Sequence, residues 1–403
     1  QRSAYLQSIG KFIGNRLVKV IVGQRRSGKS YLMRQIIHFL IDHHQTNPEN
    51  IFFLNKEYIA FDSIKNASDL DSLFKYYLSE LNVSGKCYIF LDEVQNIENW
   101  EKFVNSYAQD YTGEFELFVT GSNSNLLSGE LATLLSGRYV QFELMPFNLE
   151  EFARFKQAPI NKETFLEYLQ QGGLPEMLRL NDEEMQRHYI SDLKNTIILR
   201  DVVQRNRVND LALLEDVFKY LSVNIGNLTS LQNIVKYFKS KQKQANYETL
   251  SKYVGFLLDT FVVHEVERFN LKGKQVLGGV RKYYLNDLAF KNLVFGYQPE
   301  DIGYHLENYV YLYFRQLGFE TTVGILNGKE VDFVARKSDR IIYIQVAYLL
   351  ADRQTIEREF GNLLAIKDNH PKVVISLDDI AMTGYEGIYH FRPWELDQVL
   401  KNL

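Results

Sequence analysis

Gly23-Gln-Arg-Arg-Ser-Gly28-Lys29-Ser30 sets two glycines, a lysine and a hydroxyl at the spacing GxxxxGK[ST]. Glycines at both ends let a loop wrap closely, so its backbone N–H groups can hold a phosphate at a helix N-terminus. In this pattern Gly23, Gln24, Arg25, Arg26, Ser27 and Gly28 form the cradle, continued by Lys29, Ser30 and Tyr31. Lys29 is expected to contact the β- and γ-phosphates, and the Ser30 hydroxyl to ligate Mg²⁺. A second constellation lies downstream, where the apolar run Cys87-Tyr-Ile-Phe-Leu ends in Asp92 and Glu93. Asp92 is placed to hold Mg²⁺, and Glu93 to polarise a water for in-line attack on a γ-phosphate. Together these residues predict a chain that binds and hydrolyses a nucleoside triphosphate.

Two further groups are candidates for the same chemistry. Thr120-Gly-Ser122-Asn123 closes another apolar run, where Ser122 or Asn123 could sense the γ-phosphate or orient the water. Arg138 follows the segment 131–137 and is a candidate for stabilising transition-state charge, in cis or across a subunit interface.

The elements that must carry these residues are legible from periodicity. Residues 17–22 are β-branched and apolar, broken by Lys19, and read as a strand entering the glycine loop. An amphipathic segment (Tyr31, Leu32, Ile36, Ile37, Leu40) leaves it as a helix. Residues 51–55, 115–120 and 139–144 read as strands, and 69–81 and 100–107 as helices. Strands alternating with helices predict an α/β fold with a parallel sheet.

Composition bounds the class. At 403 residues the chain has room for two or three domains, and 45% hydrophobic with 24% charged residues is ordinary for a globular protein. No apolar run approaches the roughly 18 residues of a membrane span, so a cytoplasmic protein without a membrane partner is expected. The single cysteine, Cys87, excludes an internal disulfide and a cysteine-based zinc site. A net charge of −4 restricts any nucleic-acid contact to a local patch.

The ordered set of the glycine loop, Ile89-Phe-Leu-Asp-Glu-Val-Gln95, Thr120-Gly-Ser-Asn-Ser, Leu135-Ser-Gly-Arg138 and Gly172-Gly-Leu-Pro-Glu176 resembles a large family of prokaryotic AAA-type ATPases. In that family the C-terminal part is a domain of unknown function. The resemblance runs along essentially the whole chain and implies ATP as the nucleotide and an AAA-like sheet order. It also implies a core at 1–146, a helical lid at 147–205, and a Gly172-Gly173 turn that faces the nucleotide.

Beyond the lid, helical patterns at 211–221, 231–239 and 247–259 precede apolar strands at 261–269 and 281–285. Helices followed by a hairpin predict a winged helix over 206–295. Between Ser230 and Leu285 there are ten Lys or Arg (236, 239, 241, 243, 252, 268, 272, 274, 281, 282) against four acids (248, 259, 265, 267), an excess of six. That excess makes duplex DNA a candidate partner through its phosphates.

Residues 296–403 follow a helix–strand–strand–strand–helix–strand order that resembles the PD-(D/E)xK nuclease core. The resemblance places Glu307 and Asp332 as acidic metal ligands, with Gln345 as a weak third. Where that superfamily has an acid, a spacer and a lysine, this chain has Gln345-Val346-Ala347. A vestigial metal site without cleavage activity is therefore expected. The function expected overall is an ATP-driven switch whose nucleotide state controls the C-terminal module, within a homo-oligomer or alone. The alternatives are an ATP-regulated metal-dependent nuclease and a scaffold ATPase acting on protein partners.

Overall fold

In the computed structural model, residues 2–81, 83–109, 112–127, 134–135, 137–350, 353–378 and 385–400 are described. They form two units, 1–145 with 259–261, and 146–258 with 262–403.

The first unit is built on β1 (Val18–Val22), β2 (Ile51–Asn55), β3 (Cys87–Asp92), β4 (Phe115–Gly121) and β5 (Tyr139–Glu143). The strands pair in parallel in the order β2-β3-β4-β1-β5. Around them lie α1 (Ser3–Gly10), α2 (Lys29–His44), α3 (Ala67–Glu80) and α4 (Trp100–Ala108). Apolar cores form on both faces of the sheet, which is why β1 and β3 are buried along their whole length. Asn66 starts α3 with a capping box closed by Asp69, so the helix begins two residues before its apolar pattern does.

Lys19, the charge that interrupts the β1 run, has a fully buried side chain and donates to Glu116 on β4 at 2.5 Å. Glu116 also pairs with Lys86 at 2.6 Å and accepts the Gly14 N–H at 3.0 Å. Burial lowers the pKa of Lys19, and the Glu116 carboxylate opposes that shift. The cluster ties the segment before β1 to the middle of the sheet.

The second unit begins with α5 (Leu149–Lys156), α6 (Lys162–Gln171) and α7 (Glu183–Thr196), the last extended by a π-helical segment, Ile197–Val203. Next come α8 (Leu211–Val223), β6 (Thr229–Ser230), α9 (Leu231–Ser240), α10 (Tyr247–Asp259), β7 (Val263–Asn270) and β8 (Gln275–Leu285). The remainder is α11 (Ala289–Val294), α12 (Ile302–Gln316), β9 (Glu320–Leu326), β10 (Lys329–Lys337), β11 (Arg340–Ala347), α13 (Arg353–Leu364), β12 (Lys372–Ser376), β13 (Tyr389–Phe391) and α14 (Leu396–Val399).

One eight-stranded sheet, β13-β12-β11-β10-β9-β7-β8-β6, runs through this unit. The boundary expected near 295 does not separate two bodies. β7 pairs in parallel with β9, so the hairpin and the C-terminal strands share a sheet. Asn327-Gly328, both at positive φ, close the two-residue turn between β9 and β10.

Candidate functional site

In the first unit the glycine loop joins the carboxyl end of β1 to the start of α2. Gly23 sits at φ +150°, and a Cβ there would lie 2.2 Å from the Leu144 carbonyl oxygen. Gly28 sits at φ +100° and caps α2 without a side chain, so nothing of its own competes for the first-turn N–H groups. Arg26 adopts φ +67°, which turns the loop back on itself. Gln24, Ser27 and Lys29 are buried, Arg25 reaches out to Glu57 at 3.1 Å, and Tyr31 is exposed.

The Lys29 ammonium donates to the carbonyls of Gly23 (3.1 Å) and Gln24 (3.2 Å) and lies 3.5 Å from Glu93. Asp92 ends β3 with three hydroxyl or amide donors around its carboxylate. Thr120 donates to Oδ1 at 2.5 Å, Asn55 to Oδ2 at 2.8 Å, and the Ser30 hydroxyl is also bonded to it. Burial raises the Asp92 pKa, while the Ser30 and Thr120 bonds pull it back. Thr120 Oγ1 accepts the Glu93 N–H at 3.0 Å, which steadies Glu93 in a left-handed conformation at φ +57°. The Gln95 side-chain amide donates to Glu93 and, at 3.3 Å, to Ser122.

Parallel pairing explains the convergence. Val22 lies opposite Gly121, so Ser122 and Asn123 leave β4 beside the loop. Asn55 lies opposite Asp92. Glu93, Lys29, Ser30, Asp92 and Asn123 therefore gather at one end of the sheet, as their positions in the sequence predict. Asn55, Thr120 and Gln95 belong with them. Thr120 and Gln95 stand inside the Thr120-Gly-Ser-Asn-Ser and Ile89–Gln95 segments without an expected role of their own, and Asn55 has a positional signal only, a polar residue closing an apolar strand.

These residues fit a magnesium-bound triphosphate. Ser27 Oγ is buried without a hydrogen-bond partner, inside a loop whose glycines leave room for oxygen atoms. The hard-oxygen donors needed for Mg²⁺, the Ser30 hydroxyl and the Asp92 carboxylate, are already in contact.

Arg138 is placed differently. Its carbonyl accepts the Val18 N–H at 2.8 Å, and it precedes Tyr139, which lies opposite Val18. The loop end of β5 is Glu143, five residues or about 16 Å further along. An action in cis on the nucleotide of its own chain does not fit that position. Most of the 131–137 segment lies outside the described residues.

The expected nucleotide-facing role of Gly172-Gly173 has a simpler physical cause within the second unit. The Gly173 N–H donates to Asp287 at 2.8 Å, and its carbonyl accepts from Phe147. A Cβ at Gly172 would sit 1.9 Å from Asp287 Oδ1, and one at Gly173 2.2 Å from the Phe147 oxygen. Both glycines permit close packing around a buried carboxyl group. Burial raises the Asp287 pKa to about 7 against the pull of the Ala289, Gly173 and Leu174 N–H groups.

In the C-terminal part, Glu307 on α12 and Asp332 on β10 do come together, but around a lysine. Lys282 of β8 donates to Glu307 at 2.7 Å, pairs with Glu330 at 2.6 Å, and lies 3.9 Å from Asp332. Burial works against its charge, yet Glu307, Asp332 and Glu330 outweigh it and raise the pKa. Tyr284 donates to Glu307 at 2.6 Å and the Val346 N–H to Asp332 at 2.7 Å. The Gln345 amide nitrogen donates to Glu359 at 2.9 Å. Among the described residues no group of His, Cys, Asp and Glu is arranged to hold a metal ion. In the sequence Lys282 belongs to the basic excess of 230–285, and Glu330 carries no signal of its own.

Comparison with known proteins agrees with the nucleotide site. Residues 15–153 match an AAA domain, and residues 162–301 match a domain of unknown function (DUF8612). An uncharacterized protein of Haemophilus influenzae is 34% identical over 391 residues, covering 96% of each chain. The uncharacterized protein MJ1544 of Methanocaldococcus jannaschii is 32% identical over 379 residues, covering 89% of this chain and 80% of its own. Among solved structures, the Orc1 protein of Aeropyrum pernix in complex with DNA aligns over 73% of this chain and 91% of its own. That alignment has 14% identity and a TM-score of 0.34. With its glycine loop, acidic strand end and AAA-domain match, the chain belongs to the prokaryotic AAA-type P-loop ATPases that carry a C-terminal domain of unknown function.

Proposed function

We propose that the protein hydrolyses ATP and uses its nucleotide state to control the C-terminal module, with DNA as the partner of that module. The observation that supports hydrolysis is the Thr120-linked pair, Asp92 and Glu93, beside the Lys29 ammonium. Lys29 turns from the Gly23 and Gln24 carbonyls to the β- and γ-phosphate oxygens and neutralises their charge. Ser30 and Asp92 would hold a Mg²⁺ ion, which would supply positive charge to offset the charge developing on the phosphate. Glu93 accepts the proton of a water as its oxygen bonds to the γ-phosphorus and the bond to the β–γ bridging oxygen breaks. Gln95 fixes the orientation of Glu93, and Asn123 orients the water or reads the γ-phosphate. Arg138, remote from its own loop, serves the nucleotide of a neighbouring copy in a homo-oligomer.

The reading of 206–295 as a winged helix is supported by the order helix, short strand, helix, helix, hairpin, with β6 paired to β8. The exposed charge is smaller than the sequence count. Lys282 is internal, Arg281 pairs with Glu265 and Glu267, Lys252 with Glu248, and Lys243 with Asp216. Exposed and outside the ion pairs among the described residues are Lys236, Lys239 and Lys241 on and just beyond α9, and Lys272 and Lys274 at the hairpin tip. These five are the phosphate-contacting residues of the proposed DNA surface. The nuclease-like module, with Ala347 where a lysine would act, serves binding rather than cleavage.

ATP turnover measured with and without duplex DNA tests this function. Turnover stimulated by DNA supports it. An absence of turnover under both conditions refutes it, and turnover indifferent to DNA removes the DNA partner alone.

A further inference from the structure

The first unit contains three residues from far along the chain, Asp259–Phe261. They close α10 and lead towards β7, which starts at Val263. Phe261 adopts φ +59°, a left-handed conformation two residues past a helix, where glycine is the usual occupant because it has no Cβ. A phenylalanine is held there because its ring is buried, 6% exposed, in the apolar core that contains Leu117, Val119 and Leu126. That burial offsets the backbone strain. With Phe261 fixed, Asp259 is fixed two residues earlier, and its Oδ1 accepts the Ser124 hydroxyl at 2.8 Å. Ser124 opens the short turn Ser124–Leu127 that follows β4. Within it the Leu126 N–H donates to the Asn123 carbonyl at 3.2 Å, and Leu126 packs in the same core as Phe261. Ser122 accepts from Gln95, which also donates to Glu93. A continuous set of contacts therefore runs from Asp259 through Ser124 and the Ser122–Asn123 pair to the Glu93 carboxylate.

We propose that Asp259 is a positioning residue for ATP hydrolysis, brought into the nucleotide-binding unit by the C-terminal part of the chain and held in register by Phe261. It acts through Ser124, whose turn sets where Ser122 and Asn123 stand at the end of β4. The coupling is reciprocal. A γ-phosphate that draws Asn123 inward displaces Ser124 and pulls on Asp259, and α10 and β7 receive the movement through their own backbone. Residues 259–261 are then the covalent link between nucleotide state and the hairpin that follows them. The inference rests on the reading of Asn123 as a residue of the nucleotide site.

Steady-state hydrolysis by the full chain, beside equilibrium ATP binding and amide hydrogen exchange, is the test. Asp259→Ala and Ser124→Ala are each expected to lower kcat about tenfold with ATP affinity changed less than about twofold, and the double variant to be no worse than either. Asp259→Asn, whose amide oxygen still accepts the Ser124 hydroxyl, is expected to keep kcat within about twofold of wild type. Mg²⁺–ATP is expected to slow exchange at 122–126 and 259–261 together in wild type, and at 122–126 alone in Asp259→Ala. Circular dichroism confirms that each variant is folded. A folded Asp259→Ala with wild-type kcat, an Asp259→Asn as slow as the alanine variant, or losses that add in the double variant overturn the proposal. Should Asp259→Ala not fold, Ser124→Ala and Asp259→Asn decide by the same kcat values. Should wild type not turn over, the hydrolysis reading fails by itself and exchange decides. Joint slowing of the two segments by Mg²⁺–ATP then supports the link, and slowing confined to 122–126, or at neither, contradicts it.

Discussion

Thr120 joins the two acidic residues of the nucleotide site through one hydroxyl, donating to Asp92 at 2.5 Å and accepting the backbone N–H of Glu93 at 3.0 Å. The hydroxyl thus couples the end of β4 to the end of β3. Movement of either strand end alters the aim of both carboxylates. Thr120→Val keeps the shape but removes the bonds, leaving a buried N–H and an unanchored carboxylate. The expected outcome is a fall in turnover of about 10- to 100-fold with ATP affinity changed less than about threefold. Steady-state hydrolysis and equilibrium nucleotide binding, measured side by side, check the split.

Gln95 acts on Glu93 from the other side. Its amide bridges Glu93 and Ser122, so Gln95→Ala removes one of the contacts that orient the Glu93 carboxylate while leaving the phosphate cradle whole. Turnover is expected to fall about tenfold, with binding retained. Gln95→Glu sets a second carboxylate against Glu93 and is expected to be worse than alanine. A pH–rate profile displaced upward in Gln95→Glu identifies the like-charge effect, because a neighbouring anion raises the pKa of Glu93.

Arg138 lies at the far end of its strand from its own loop, so its loss is expected to spare ATP binding and lower turnover. A mixture of Arg138→Ala and Glu93→Gln chains then regains activity at those interfaces that pair an intact arginine with an intact glutamate. Mixed-chain assays showing no regain at any ratio refute the trans assignment.

Asp287 predicts a pH dependence of stability. Its pKa rises from 3.8 toward about 7 in the folded chain, so the folded form holds a proton more tightly than the unfolded one. The stabilising contribution is fully present below about pH 3.8 and is lost as pH rises through about 7. The unfolded chain binds fewer protons across that window, which gives the negative slope. Asp287→Asn abolishes this part of the slope and also destabilises the fold, since its amide faces the donating N–H groups of Gly173 and Ala289. Melting temperatures of wild type and variant from pH 4 to pH 8 should converge as pH rises.

The proposed DNA surface makes a graded prediction. Replacing Lys236, Lys239 and Lys241 with glutamine is expected to weaken duplex binding evenly across sequences and to reduce the salt slope by about two to three. The same change at Lys282, buried among Glu307, Glu330 and Asp332, lowers the melting temperature instead. Fluorescence anisotropy at several salt concentrations, beside thermal melting, separates the two.

Much of the nucleotide site was readable because its chemistry demands contiguous spacing. Gly23 to Ser30 must bend around one phosphate group, and Asp92 and Glu93 must follow one buried strand. The strands and helices of both units were also legible, since two-faced burial leaves long apolar runs such as 87–91. What could not be read depended on residues far apart in the chain. Asn55 and Thr120 look like ordinary polar strand residues, and Gln95 like a turn residue, until the fold brings them to Asp92 and Glu93. Lys282 reads as a surface charge because its neighbours in sequence are a charged hairpin, whereas its partners are 25 to 50 residues away. The resemblance points Gly172-Gly173 at a ligand, although a buried carboxyl group requires the same absence of Cβ. Lys19 looked like a break in β1 until Glu116 and Lys86 supplied its charge balance.

Single-turnover release of phosphate from ATP with Mg²⁺ tests the central claim most directly. Wild type is expected to release phosphate, Glu93→Gln to bind ATP but release it about 10²- to 10⁴-fold more slowly, and Lys29→Ala to lose binding. Equal release by wild type and Glu93→Gln, or no nucleotide binding by wild type, would contradict the account.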